Sequence, residues 1–437
     1  MNLPQILSLI LLVVILVLAV WRHVNIGLLG FSAAAIMVMA TTAIADGSDT
    51  NTVLTSKDVL SHFPGAIVTL LIGVSLLFAH LEKSGGLSWF TDQIYAKMGH
   101  RTNIVPWIGY FIGFAISTAG AFSTASITLL VPVIAALGRK HPRLFFICEM
   151  AAIIGANTGA LSPINPTGQV ILDAAKKAHV EYSPWLVWFL GMLISFVLVI
   201  ALQIVFQDKR VVETSDAKAP EKGFVLLKPI KQENGDNHQL QPFYAICSTI
   251  AVLIFLILVI FAKANVGLTA LTLAVIMMLF FTQQSKDFVK KIPWNAVVVI
   301  SGLLVFIGTM MQVNTMKAVE QGLLSMTSSK IALLFMLAYL TTFLSNVESS
   351  TLGVISLMIP MVFTIFGDSP QISLILTACA APAMLSVVNP IHIAGTLVVS
   401  VTEEKQQEMM FKRLLIIAFA TVPFFPGLAM IVPALMM

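Results

Sequence analysis

Residues 183–206 carry no charged side chain. An apolar stretch of roughly 20 residues is long enough to cross the hydrocarbon of a bilayer. This chain has eight: about 4–21, 24–45, 64–82, 183–206, 242–262, 265–283, 294–313 and 409–435. Lipid offers no partner to a backbone amide, so such stretches fold as helices. Only 11% of the 437 residues are charged, against about 25% in soluble domains. The expected fold class is an all-α polytopic protein embedded in a lipid bilayer. The net charge of +4 gives no reason to expect a nucleic-acid partner, because the position of charge matters more than its sum.

Residues 1–20 are apolar and no basic residue precedes them, whereas Arg22 and His23 follow. A cleavable signal has the reverse order, so an uncleaved first span with its N-terminus outside is expected. Cys148, Cys247 and Cys379 lie in apolar segments at unrelated spacings, which fits packing rather than a disulfide framework or a metal site.

Two further segments, 144–173 and 371–400, are apolar but interrupted. The interruptions read Ser162-Pro163-Ile164-Asn165-Pro166 and Ser386-Val387-Val388-Asn389-Pro390. Proline breaks a helix by removing a donor and clashing with the preceding turn. Broken backbone at membrane depth survives only where it lines a protein cavity. The two breaks are therefore expected to form two halves of one solute site. Two Gly/Ser/Thr-rich or polar-tipped stretches, 103–138 and 330–366, are too short for two full crossings each. Arms of about 25 Å fall short of a hydrocarbon core of about 30 Å. Re-entrant hairpins are expected, with tips near Ser117–Ser126 and Ser345–Thr351.

The halves repeat. Asn25-Ile26-Gly27-Leu28 recurs 240 residues on as Asn265-Val266-Gly267-Leu268. Pro64 and Gly73 match Pro293 and Gly302 at an offset of 229. Ser117 and Pro132 match Ser345 and Pro360 at 228, and Ser162, Asn165 and Pro166 match Ser386, Asn389 and Pro390 at 224. Offsets that drift in one direction are what small loop deletions leave after a duplication. The expected organisation is a first transmembrane repeat at 1–206, a polar linker at 207–241 and a second repeat at 242–437.

Lys and Arg set orientation. If each hairpin returns to its own side, one face holds only Lys57, Lys176, Lys177, Lys263, Lys317 and Lys330 of the 25 Lys and Arg. The majority face is then cytoplasmic and includes the linker; both termini lie outside. Each repeat of about five spans crosses an odd number of times, so the repeats are inverted. Inverted repeats with broken helices at the midplane mark secondary transporters.

The polar groups at depth are the candidate site. Ser117 and Thr118 lie at the first tip; Asn157, Ser162, Asn165 and Thr167 surround the first break. Ser345 and Asn346 lie at the second tip; Ser386, Asn389 and His392 surround the second break. Hydroxyls, amides and free carbonyls can hold a hard cation such as Na⁺, and helix N-termini can hold an anion. Small polar residues also serve close helix packing. His392 can donate to a solute carboxylate or to a packed carbonyl. For the coupling ion the candidates are Ser117, Asn157, Asn165, Asn346, Glu348 and Asn389. Glu348 is the acid at a tip, where charge is expensive; it can hold a cation or a coupled proton, or stay solvated in a wet tip. Glu149, one turn into the span after Arg143, is expected at the interface, paired with a nearby base. No Walker, zinc or nucleophile-elbow motif occurs, so no enzyme and no cofactor beyond the coupling Na⁺ or H⁺ is expected.

Several stretches carry a resemblance: Val24-Asn25-Ile26-Gly27-Leu28, Phe63-Pro64-Gly65, Val105-Pro106-Trp107 and Gly159-Ala160-Leu161-Ser162-Pro163. The chain resembles the ion transporter superfamily of divalent-anion/sodium symporters, citrate carriers and arsenite pumps. It is most like dicarboxylate carriers of the bacterial malonate-carrier (MatC) type. The likeness covers most of 1–200 and extends more weakly over the second half. It implies a homodimer in the bacterial inner membrane, with an elevator-type transport domain moving against a scaffold. It also implies paired Ser-Asn-Thr hairpin motifs that bind Na⁺ and substrate carboxylates; Ser117-Thr118-Ala119 and Ser345-Asn346-Val347 stand in their places, the first without the Asn and both without the final Thr. The expected function is secondary transport of small organic anions, C3 or C4 dicarboxylates first, coupled to Na⁺ or H⁺. The alternative is a cation/proton antiporter or inorganic-anion carrier on the same fold.

Overall fold

The computed structural model describes residues 2–22, 24–44, 53–86, 104–138, 142–206, 241–327, 329–347, 351–386, 388–390, 392–402 and 404–436. Linker residues 207–240, and Glu348 with its two followers at the second tip, lie outside the described residues. Among the described residues every regular element is helical. In the first repeat these are α1 (Leu3–Arg22), α2 (Ile26–Ile44), α3 (Ser56–Ser61), α4 (Gly65–Lys83), α5 (Val105–Thr118), α6 (Ser123–Gly138), α7 (Pro142–Gly159), α8 (Pro166–Ala178) and α9 (Pro184–Phe206). In the second they are α10 (Pro242–Ile260), α11 (Val266–Phe280), α12 (Trp294–Gln312), α13 (Thr315–Met326), α14 (Lys330–Val347), α15 (Thr351–Phe366), α16 (Ile372–Leu385), α17 (Ile393–Val401) and α18 (Glu404–Met436). Among the described residues, six helices are long and apolar enough to cross a membrane.

Duplicated residues begin duplicated helices. Asn25 Oδ1 accepts from Gly27 N at 2.9 Å, and its counterpart Asn265 Oδ1 accepts from Leu268 N at 3.0 Å, so each satisfies an orphan donor at a helix start. Pro64 and Pro293 precede α4 and α12 with nearly the same backbone, φ −83°, ψ 61° and φ −76°, ψ 69°.

Contacts between the repeats come in matched pairs. Helix α2 packs on α12, and their duplicates α11 and α4 pack on each other. Likewise α6 packs on α17, while α15 packs on α8. Each pair is what a two-fold relation makes from the other. Glycines make the first set possible: Gly27 and Gly302 lie backbone to backbone, and so do Gly267 and Gly73. In lipid, association rests on such close approach rather than on a hydrophobic drive.

Polar contacts sort the loop ends into two groups. In one, Asn25 meets Asn295, Gln241 N donates to Ser84 O at 3.2 Å, and Lys291 Nζ reaches Glu82 Oε1 at 3.3 Å. In the other, Gln5 meets Val313, His62 meets Gln312, and Ser183 N donates to Ser373 Oγ at 3.0 Å. Helix α1 thus starts at the end opposite to its duplicate α10, and the repeats are inverted.

Two elements escape the apolar pattern. The short α3 is fixed by a capping box between Thr55 and Asp58. The amphipathic α13 is tied to α1 through Ser8 Oγ and Thr315 Oγ1, 2.7 Å apart. Both carry polar residues at a density that hides them from a hydropathy reading.

Candidate functional site

Helix α5 stops at Thr118 and the chain turns through Gly120, whose φ of 116° suits glycine alone. Helix α7 stops at Gly159, and α8 restarts at Pro166 with Asn165 as its N-cap. The hairpin lies directly on the broken helix, because Gly113, Gly155 and Gly159 bring the backbones of α5 and α7 together.

Asn165 ties the break to the tip. Its Nδ2 donates to the carbonyls of Ser117 and Ala121, each at 2.8 Å, and its Oδ1 accepts from Thr167 N at 3.0 Å. Ser162 Oγ donates to Thr118 O at 3.0 Å. Ser117 Oγ donates to Ser126 Oγ at 3.0 Å, and Thr158 Oγ1 donates to Ile154 O at 2.7 Å. Trp188 Nε1 donates to Thr118 Oγ1 at 3.2 Å, and Gln169 caps the Pro163 carbonyl. Ser117, Asn157, Ser162, Asn165 and Thr167 are all buried. The first half-site is a closed circuit of hydrogen bonds. Trp188 and Gln169 are members that spacing did not single out; each lies outside the repeated motif.

The second half-site has the same scaffold and different bookkeeping of partners. Asn389 Nδ2 donates to Asn346 O at 2.9 Å, as Asn165 does to Ser117 O. Asn346 Nδ2 donates to Thr342 O and to Ser386 Oγ, each at 3.0 Å. His392 Nε2 lies 3.4 Å from Thr351 Oγ1, and His392 is the N-cap of α17 without a capping side-chain bond. Three buried atoms here have no hydrogen-bond partner among the described residues: Ser345 Oγ, Asn346 Oδ1 and His392 Nδ1. Ser117, Thr118, Ser162, Asn165 and Thr167 thus gather at one tip and Ser345, Asn346, Ser386, Asn389 and His392 at the other, while Asn157 is buried near the end of α7 and makes no hydrogen bond to either set among the described residues. The pairing of α6 with α17 and of α15 with α8 brings the sets into one core. Glu348, the acid assigned to the second tip, lies outside the described residues.

Glu149 departs from its expected place. It is 0% exposed, and neither carboxyl oxygen has a partner among the described residues. Its helix, α7, is packed by α5, α6, α9 and α16. Proximity to Arg143 in sequence did not disclose that enclosure.

Lipid-length helices in inverted repeats, with broken helices meeting hairpin tips in a shared core, define a membrane transporter. A family model described as citrate transporter (CitMHS) matches residues 14–366, and the chain belongs to this family. It is accordingly a transporter of organic anions, in a family of transporters. No curated protein matches the chain. Two solved structures share its fold. The YdaH transporter of Alcanivorax borkumensis has a TM-score of 0.53 at 13% identity, over 98% of this chain and 97% of that one. MtrF of Neisseria gonorrhoeae, described with a class of antimetabolite efflux pumps, has a TM-score of 0.55 at 13% identity, over 98% and 95%. At this identity the likeness speaks for the fold alone.

Proposed function

We propose that the chain carries small polycarboxylates by secondary active transport, C3 or C4 dicarboxylates first, coupled to Na⁺ or H⁺, and that the second half-site makes the principal contacts to the solute. The observation that carries this reading is the trio of buried atoms at Ser345, Asn346 and His392 that have no hydrogen-bond partner among the described residues. A buried polar group without a partner costs about 1–3 kcal/mol, so a site that keeps three of them is supported by a ligand that completes them. The Ser345 hydroxyl and His392 Nδ1–H are suited to donate to a carboxylate. Asn346 Oδ1 only accepts, which suits a coupling cation, a solute hydroxyl or a protonated carboxyl. The N-terminus of α17 adds unsatisfied backbone donors beside His392. The first half-site, where Ser117, Thr118, Ser162 and Asn165 are already hydrogen-bonded, positions the tip against the break. Citrate, named in the family's description, is the larger solute that a substrate panel sets against malonate and succinate.

The proposed setting is a homodimer in a bacterial inner membrane, with an elevator-type motion of the hairpins and broken helices. The termini are outside and 207–241 is cytoplasmic, as the charge bias favours.

Thermal unfolding of the purified protein in a panel of acids tests the site. Malonate, succinate or citrate raises the midpoint, and sulfate and phosphate do not. Ser345→Ala unfolds no lower than wild type without ligand, because its hydroxyl has no partner to lose among the described residues and its burial cost goes with it. The same variant binds the solute about tenfold more weakly, about 1.4 kcal/mol. Equal affinity in Ser345→Ala removes this hydroxyl from the site. Stabilisation by inorganic anions alone favours the inorganic-anion reading.

A further inference from the structure

Glu149 is the fully buried acid among the described residues, and both of its oxygens lack a hydrogen-bond partner there. It lies on α7, between that helix's start at Pro142 and the break at Ser162. An ionised carboxylate is not held in such a place without a counter-charge, and intramembrane acids are kept for function. A counter-charge waits one turn away. Arg413, from α18 in the opposite repeat, places its guanidinium carbon 5.4 Å from the centre of the Phe146 ring. Phe146 and Glu149 are three residues apart on α7 and share a helix face. Arg413 is exposed while Phe146 is buried, so a long mobile cation at the rim rests one turn from a buried acid.

The surroundings supply little else that could titrate or carry charge. Helix α5 carries Tyr110, whose hydroxyl is 2.6 Å from Ser195 Oγ. Helix α16 carries Cys379, α7 itself carries Cys148, and neither α6 nor α9 carries a titratable residue. On α18, Lys412 and Glu408 pair with each other at 2.6 Å. Arg143 is also on α7; its side chain lies outside the described residues.

We propose that Glu149 binds and releases a proton in each transport cycle, with the Arg413 guanidinium moving from the Phe146 ring to the carboxylate when the proton leaves. The proposal rests on the transporter reading above. In the proposed cycle the carboxyl holds its proton while the guanidinium rests on the Phe146 ring. Release gives a carboxylate and a proton passed to water at the end where α7 and α18 both begin. The ion pair then formed joins the two repeats, so the loss of the proton is felt as a change in how they pack.

Proteoliposomes holding the full chain separate this role from a structural one. Two quantities are read with labelled succinate or citrate: accumulation driven by a pH gradient, and counterflow at equal pH. Glu149→Gln, a neutral copy of the protonated acid, keeps counterflow and loses gradient-driven accumulation at least tenfold. Accumulation at the wild-type level, or loss of counterflow as well, overturns the proposal. Arg413→Gln provides a second arm that spares the buried position. It shifts the pH optimum of accumulation upward by about one unit, because the ionised acid has lost its partner; an unchanged profile overturns the proposal. A wild-type protein driven by Na⁺ and indifferent to pH gradients refutes the role of Glu149 and leaves the transport reading standing. A wild-type protein that exchanges no organic acid refutes the transport reading itself.

Discussion

Asn165→Ala loses transport and stability together. The amide makes three hydrogen bonds, to the carbonyls of Ser117 and Ala121 and from the backbone of Thr167. All of them are inside the protein, where water does not replace a lost partner. Each stranded group costs about 1–3 kcal/mol, so the three together cost about 3–9 kcal/mol. The loss falls on the joint between the hairpin tip and the broken helix. Without it the tip carbonyls face a cavity, and the N-terminus of α8 loses its cap. Uptake into vesicles and thermal unfolding of the purified variant measure both effects. Ser345→Ala is the contrast: its hydroxyl is equally buried but has no partner among the described residues, so the variant loses affinity without losing stability. If Asn165→Ala melts and transports like wild type, the closed circuit at the first break is not what holds the site.

Gly302→Ala separates the two repeats. A Cβ at Gly302 would penetrate the carbonyl of Gly27, and the obstacle is backbone, which cannot swing aside. Overpacking of this kind costs about 1–3 kcal/mol. The displaced pair α2 and α12 is the duplicate of α11 and α4, so Gly73→Ala or Gly267→Ala should produce a comparable loss. Gly322→Ala on the exposed face of α13 is the control, since nothing lies within 4 Å of the added atom. There the better helix former gains about 0.5–1 kcal/mol. Unfolding temperatures of the four variants decide the matter. A Gly302→Ala protein as stable as wild type would mean the helices slide apart without penalty and that the glycine contact does not define the two-fold.

Much of this fold could be read from residue spacing. The breaks at Asn165-Pro166 and Asn389-Pro390 announce themselves, because proline inside a lipid-length apolar run has few other uses. The drifting offsets pair Gly27 with Gly267 and Gly73 with Gly302, and the structure puts these glycines at equivalent contacts. Helix α13 was not legible, since Thr315–Met326 has too few apolar residues to stand out and its place depends on Ser8 across the interface. The inequality of the half-sites was not legible either. Asn165 spans to two carbonyls, whereas the side chain of Asn346, standing where Thr118 stands in the first repeat, takes up Ser386 and leaves its own oxygen free. A one-residue difference in a repeat decides which hydrogen bonds close, and only tertiary geometry reveals it. The burial of Glu149 is of the same kind, set by helices distant in sequence.

The most direct measurement is uptake of labelled malonate, succinate and citrate into proteoliposomes under imposed Na⁺ or H⁺ gradients. The account predicts concentrative uptake of at least one of these acids, driven by a cation gradient, inhibited by the other acids and lost in Asn389→Ala. A protein that moves none of them, yet answers a cation gradient with a change of internal pH, would contradict it.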